Sequence, residues 1–483
     1  LPPATPSWTP PPITTVAALP NPSAAATGAF GPVVPWPLIP VHASLLPDGR
    51  VMTFGSRPDG TQTGMFEYDV WNSLEGTGSE AHLTLPNGTS TDLFCSSQLV
   101  LPTTGDVIFN GGDIYAPVPG RTTNAPTADA TLFRAASNSL ERAGTMKRPR
   151  WYGSAITLPN GETYIQGGSG GNDRAEVRGL DGAFRLLTGF YTNDLDTAYP
   201  RIFAAPDGKV FGFAYSRMFR IDPAGNGTRT DFGLVTRVAP VWQTPVLMFA
   251  PGRILVAGGS DTRAAVIDIS GTTPIITDAG TLSTRRLWGN ATVLADGTVA
   301  VTGGSTVDND LGSAAYRMEL FDPATRTWTP GPSAQRARLY HSIALLLPDG
   351  SMLTGGGGAR GPQSNTNAEV YYPPYLFGAD GMPKARPLLS GAPAVVEPRA
   401  AFSVRSPDAA RVRRLTLVAT GSVTHSFDRN QRYMELEFHA EGEALHAQLP
   451  ANAFDTPPGY YMLFALDDAG TPSMARMIRI NPV

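Results

Sequence analysis

One pattern recurs seven times along this chain, and it limits the fold more than anything else in the sequence. It consists of an apolar run, a turn ending in glycine, a second apolar run, and then small residues that are often Gly-Gly. It reads LLPDGRVMTFGS from Leu45, LPTTGDVIFNGGD from Leu101, LPNGETYIQGGSGG from Leu158 and APDGKVFGFAYS from Ala205. It returns as FAPGRILVAGGS from Phe249, LADGTVAVTGGS from Leu294 and LLPDGSMLTGGGG from Leu346. Asp-Gly and Asn-Gly between alternating apolar residues signal a tight hairpin, because glycine takes positive φ without a steric penalty. The turn glycines are Gly49, Gly105, Gly161, Gly208, Gly252, Gly297 and Gly350, about 44 to 56 residues apart. One hairpin per unit at that period predicts an all-β chain folded as a seven-bladed β-propeller.

The period and hairpin are of kelch type. The later part of each unit, such as MELFDPATRTWTPGPS from Met318, fits the outer strands, with Trp328 packed between blades. After Leu376 the pattern stops. The stretches RRLTLVAT, RYMELEFHA and YYMLFALDD then fit a small immunoglobulin-like β-sandwich. The expected organisation is a Pro-rich N-terminal arm over residues 1–30, a propeller carrying the site over 31–384, and an immunoglobulin-like domain over 385–483. With 52 Gly, 45 Pro and only 16% charged residues, the composition suits short strands and tight turns. A formal charge of −4 leaves no basic footprint for nucleic acid, and no apolar run reaches the length of a membrane span. The chain begins at Leu1 instead of Met, followed by the Pro-rich arm, so a secreted protein (extracellular, periplasmic or at the cell surface) is expected. Asn-X-Thr triplets begin at Asn87, Asn226 and Asn290 and are compatible with glycosylation.

The residue nine places before each turn glycine should open the innermost strand of its blade. Those residues are Pro40, Ser96, Tyr152, Tyr199, Gln243, Trp288 and His341. Where the turn is lengthened, as in PTTG, the neighbour Cys95 moves in. One end of the axis therefore gathers Cys95, Tyr152, Tyr199, Trp288, Tyr340 and His341. The rest of these strands (AITL, ATVL, ALLL) is aliphatic, as packing alone would select. Taken singly, a buried histidine or the Trp151–Tyr152 pair would pass for core. Phenols, an imidazole and the chain's only cysteine converging on one spot would not. A lone cysteine also excludes an internal disulfide and a cysteine-built zinc cluster.

At these residues the chain resembles the galactose oxidase and glyoxal oxidase family of copper-radical enzymes. The segments that carry the resemblance are DLFCSS around Cys95, RWYGS around Tyr152, RLYHSIALLLPDG around Tyr340 and His341, VTHSFDRNQR around His425, and PPGYYMLFALDDAGTPS near the C-terminus. They fall in the family's order, over about residues 30 to 483. The resemblance implies one copper ion held by Tyr152, Tyr340, His341 and His425, with His425 supplied by a loop of the last domain. It also implies a thioether between the Cys95 sulfur and a ring carbon of Tyr152, catalysis by the resulting Tyr152 radical, and Tyr340 as general base. Copper(II) favours such imidazole and oxygen ligands, and a sulfur-substituted phenol is more easily oxidised. The implied activity is oxidation of a small aldehyde, as its hydrate, or of a primary alcohol, with dioxygen reduced to hydrogen peroxide.

GGSGGND around Gly170 lacks the tryptophan that galactose oxidase carries in the comparable loop, whereas Trp151 directly before Tyr152, RLYHS and THSFDRNQR are similar to the glyoxal oxidase branch. That missing tryptophan, and the expectation that no sugar-binding domain precedes the first blade, speak against galactose as substrate. Trp288 is a candidate cover for the site. His42, on the first inner strand, is the reserve ligand. His82, His439 and His446 read as structural or exposed, and Arg148, Arg150 and Arg286 stand near the ring in sequence, where a place in the pocket and a surface or structural role are equally open. The expected partners are a small-molecule substrate and dioxygen, with no nucleic acid and no membrane span, for a chain acting as a monomer. The rival reading is a noncatalytic kelch propeller that binds protein or glycan. The set Cys95, Tyr152, Tyr340, His341 and His425 distinguishes the two, because a scaffold has no use for it.

Overall fold

The computed structural model describes residues 20–114, 124–195 and 198–483. Seven β-sheet blades surround an axis, as the repeats predict. Each starts with an inner strand that runs into one of the repeated turns. All seven turn glycines have positive φ, between 69° and 91°, where a side chain would be strained. The inner strands His42–Leu45, Ser97–Val100, Arg201–Ala204, Leu287–Val293 and Ser342–Leu346 are buried at every residue, so they need apolar or hydrogen-bonded side chains on both faces. Trp328, on the outer strand of blade 6, donates its indole N–H to Ala279 O of blade 5 at 2.6 Å, packing between blades as expected.

The Pro-rich arm lies outside the described residues as far as residue 19. Residues 20–30 are docked through part of their length, with Pro20, Pro22, Ser23 and Ala26 exposed. Ala24 is fully buried, and the backbone oxygen of Thr27 accepts the Tyr371 hydroxyl at 2.8 Å. The short strands Ala29–Phe30 and Val34–Pro35 pair with Asn367–Tyr372 of blade 7. The last blade is thus completed by the start of the chain, which closes the ring. Among the N-glycosylation triplets, Asn290 is buried and the Asn87 amide donates to Gly64 O and Thr91 O, whereas Asn226 is exposed.

Past residue 385 a seven-stranded sheet folds around its own core, including Leu415, Leu417, Leu436, Leu463 and Ile478. The three expected stretches form the strands Val412–Ala419, Tyr433–Glu441 and Gly459–Asp467. Tyr461 donates its hydroxyl to Pro457 O at 2.6 Å, a corner that pins the start of the last long strand.

From this unit a hairpin, Ser422–Thr424 and Phe427–Asp428, enters the propeller. Its first strand pairs with His42–Ser44 of blade 1, and Phe427 pairs with Val246 of blade 5. Two blades and the hairpin therefore form one ten-stranded sheet across the axis. One apolar cluster joins Leu294 and Leu345 of the propeller to Val418, Phe464 and Leu466 beyond it. No helix among the described residues is long and apolar enough to cross a membrane.

Candidate metal centre at the propeller axis

Cys95, Tyr152, Tyr199, Trp288 and His341 all lie at the entry to an inner strand, and all have positive φ, between 42° and 70°. This backbone region is costly for residues with a β-carbon, so its repetition reflects a constraint of the architecture. Backbone bonds link these positions from blade to blade. Tyr152 N–H donates to Cys95 O at 2.9 Å, Tyr199 N–H to Tyr152 O at 2.7 Å, and Trp288 N–H to Gln243 O at 2.9 Å. The positive φ breaks the alternation of the strand and lets these side chains gather at one end of the axis.

A second device fixes three of the blades. Arg150, Arg286 and Arg338 each stand two residues before Tyr152, Trp288 and Tyr340. Each forms a buried ion pair with a third-strand glutamate: Arg150–Glu176 at 2.8 Å, Arg286–Glu319 at 2.9 Å and Arg338–Glu369 at 3.1 Å. The glutamates also accept backbone N–H groups of Lys147, Ser283 and Gln335. The arginines reach the second-strand carbonyls of Gly167, Gly303 and Gly356. Of the two roles open to Arg150 and Arg286 in sequence, the buried structural one is observed, while Arg148 pairs with Asp173 near the surface.

The expected residues meet. The hydroxyls of Tyr152 and Tyr340 are 2.7 Å apart. The Tyr340 and His341 rings stack at 3.7 Å. The His425 ring, carried in by the hairpin, lies 4.7 Å from that of His341, 5.2 Å from Tyr152 and 5.3 Å from Tyr340. Cys95 Sγ and one nitrogen each of His341 and His425 fall within 4.8 Å of one another. Cys95 O accepts the Tyr152 backbone N–H, and the next carbonyl, Ser96 O, accepts the Tyr199 hydroxyl at 3.2 Å.

The hydrogen bonds fix how the imidazoles face. His341 Nδ1 donates to Gly358 O at 2.8 Å, which leaves the Nε2 lone pair free. Thr424 donates its hydroxyl to Val41 O at 2.8 Å and accepts from His425 Nδ1 at 2.7 Å, leaving that Nε2 free as well. Both Nε2 atoms are buried without a protein partner. An orphaned buried polar atom costs about 1–3 kcal/mol, and a metal ion relieves it. Burial holds His341 down to about 4 and His425 well below the usual histidine range, so both stay neutral, as metal ligands must. Burial pushes the Cys95 thiol and the Tyr152 and Tyr340 phenols up, and only a nearby cation would reverse that preference. Two imidazole nitrogens and two phenol oxygens form a donor set suited to copper(II).

His341, His425 and Cys95 are buried, but Tyr152 and Tyr340 are partly exposed, so the centre opens on the phenol side. Trp151 packs against Tyr152 at 4.2 Å and Trp288 against Tyr340 at 4.4 Å. Trp242, absent from the sequence expectations, meets Trp288 at 4.4 Å. It precedes Gln243 just as Tyr340 precedes His341, and that offset is the signal that could have revealed it. The Trp288 indole N–H donates to Asp308 at 2.6 Å. His42 lies deeper, stacked on Phe54 and bonded to Gln98, outside the group formed by Cys95, His341 and His425. His82 pairs with Asp69, and His439 stacks on His446.

Comparison with known proteins agrees with this geometry. A family model of the galactose oxidase-like early set domain matches residues 386–480. The chain is 26% identical to galactose oxidase of Gibberella zeae over 500 residues, covering 94% of this chain and 71% of the relative. It is 26% identical to the aldehyde oxidase GLOX of Vitis pseudoreticulata over 445 residues, covering 81% of this chain and 82% of the other. It is 23% identical to the aldehyde oxidase GLOX1 of Arabidopsis thaliana over 555 residues, covering 94% and 86%. Among solved structures, a fungal alcohol oxidase described as part of the AA5 family and in complex with copper superposes with a TM-score of 0.85. It is 24% identical and covers 94% of this chain and 100% of its own, a likeness of fold. The resemblance read from the motifs therefore extends over nearly the whole chain.

Proposed function

We propose that this chain is a copper-radical oxidase that converts small aldehydes, as hydrates, or primary alcohols to their oxidised products while reducing dioxygen to hydrogen peroxide. The observation that carries this reading is the pair of buried imidazoles, each with a free Nε2, beside two phenols 2.7 Å apart. Tyr152, Tyr340, His341 and His425 are the residues that would hold copper. When bound, the ion supplies a one-electron acceptor and a Lewis acid.

The rest falls to the chain. In this reading, Cys95 loses its S–H hydrogen and Tyr152 one ring hydrogen, a C–S bond forms, and the two hydrogens reduce dioxygen to hydrogen peroxide. The sulfur substituent then eases oxidation of the Tyr152 phenol, which holds a radical. Substrate enters on the phenol side, past Trp151, Trp242 and Trp288. Tyr340 accepts the proton of the substrate hydroxyl, and the Tyr152 radical takes the hydrogen atom from the adjacent carbon. With the two phenol oxygens 2.7 Å apart, both transfers fall on one carbinol group. An alcohol leaves as the aldehyde and a hydrated aldehyde as the acid, with one dioxygen becoming one hydrogen peroxide. The indole rim favours small or flat substrates over a large polar sugar. Export and action as a monomer belong to the same proposal.

A peroxide-coupled assay of the copper-loaded protein with methylglyoxal, glyoxal, a simple primary alcohol and galactose tests this. Turnover of the aldehydes or the simple alcohol, lost in Tyr152→Phe and Cys95→Ser, is expected. A copper-bound protein that makes no peroxide from any of them would favour a noncatalytic binding propeller.

A further inference from the structure

We propose that Arg429 decides which tyrosine beside Cys95 is oxidised, keeping Tyr199 a reduced phenol and confining the cross-link and the radical to Tyr152. This inference rests on the copper-radical reading above.

The cysteine has two tyrosines beside it: Cys95 O accepts the Tyr152 backbone N–H at 2.9 Å, and the neighbouring Ser96 O accepts the Tyr199 hydroxyl. The two rings meet edge to face at 5.0 Å, and Tyr199 lies 4.5 Å from the His425 ring. Tyr199 is buried, and its hydroxyl donates to Ser96 O at 3.2 Å. Both tyrosines share the same left-handed backbone position in adjacent blades. Backbone position alone does not select between them.

Charge does. The Arg429 guanidinium carbon lies 4.9 Å from the centre of the Tyr199 ring and 6.0 Å from that of Phe427. Among the described residues no cation lies over the Tyr152 ring, which packs instead against Trp151. Arg429 is buried, and among the described residues it forms no direct ion pair, the carboxylate of the adjacent Asp428 acting on it only through space. Its Nη1 reaches Gln98 Oε1 at 3.5 Å, and its Nε and Nη2 have no hydrogen-bond partner. Burial pulls it down to about 10, which still leaves it charged at neutral pH.

A buried guanidinium with two nitrogens left without hydrogen-bond partners is costly, so its location calls for a reason beyond packing. A cation is attracted to the electron-rich face of an aromatic ring. Removing an electron from that ring loses the attraction, and the low dielectric of the interior strengthens the effect. Tyr199 is therefore the harder of the two phenols to oxidise. Arg429 follows His425 by four residues, so the hairpin that brings in the imidazole also brings in the cation.

The cross-linking step is the same for either tyrosine. Cys95 gives up its S–H hydrogen and the ring an ortho hydrogen, a C–S bond forms, and dioxygen takes both hydrogens as hydrogen peroxide. The total mass cannot distinguish the outcomes, but the linked peptide can, since Tyr152 and Tyr199 fall in separate tryptic peptides. Wild type, Arg429→Met, Arg429→Lys and the double variant Arg429→Met with Tyr199→Phe would be treated with copper and oxygen and digested. The wild type is expected to join Cys95 to the Tyr152 peptide only. In Arg429→Met a Cys95–Tyr199 product appears. It disappears again in Arg429→Lys and in the double variant. If Arg429→Met does not fold, Arg429→Gln carries the same prediction. The wild-type pattern in a folded neutral variant, or a Cys95 left free in it, overturns the inference while the cofactor reading stands. A wild type with no Cys95–Tyr152 link overturns both.

Discussion

At the residue scale, the centre is built by hydrogen bonds that aim lone pairs. Thr424 shows this most clearly: its single hydroxyl proton goes to Val41 O, so it must accept from His425 Nδ1. Thr424→Val should leave the fold intact and weaken copper binding by roughly 10–100-fold, as loss of such an outer partner does, read by chelator competition. The buried imidazoles also set a pH dependence. His341 is held down to about 4, whereas the unfolded chain titrates near its ordinary value of about 6.5. As pH falls, the unfolded chain takes the proton first. The contribution of His341 to the metal-free protein is therefore complete above about pH 6.5 and falls by on the order of 3 kcal/mol by about pH 4. Urea unfolding of wild type and His341→Gln across that window should give a difference in stability that grows as pH rises, while His425 and His42, lowered by burial as well, keep part of the slope in the variant. The sequence made Cys95, Tyr152, Tyr340 and His341 legible because each stands nine or ten places before a turn glycine. Thr424 and Gly358 were not legible, because a hydrogen-bond partner leaves no periodic trace.

At the scale of elements, the repeated hairpin could be read because its constraint is local: a turn that needs positive φ selects glycine in place. The arginine–glutamate pairs could not, since Arg286 and Glu319 are joined only once three strands are in register. These pairs hold the strand entries that carry Tyr152, Trp288 and Tyr340. Breaking one leaves an uncompensated buried charge. Arg338→Met should therefore cost about 3–5 kcal/mol in denaturant unfolding, far more than an exposed pair. A cost below 1 kcal/mol would show that the pair does not hold the strand entry. The closing strand Ala29–Phe30 was likewise hidden inside what reads as an arm, because two residues carry no pattern of their own.

At the scale of the whole molecule, the last unit completes the centre as well as the fold. The end of the repeat near Leu376 is visible in the sequence. The insertion of the hairpin between blades 1 and 5 is not, because Thr424 pairs with His42 across most of the chain. One apolar cluster spans both units, so calorimetry should give a single cooperative transition, and two well-separated transitions would contradict that continuity. The proposed function depends on Cys95 and Tyr152 becoming a single redox cofactor at the axis. Intact mass after treatment with copper and oxygen, beside Cys95→Ser treated identically, tests it most directly. The account predicts a loss of two hydrogens in the wild type alone, placed by digestion on a Cys95–Tyr152 link. An unmodified free thiol in a folded, copper-bound wild type would contradict it.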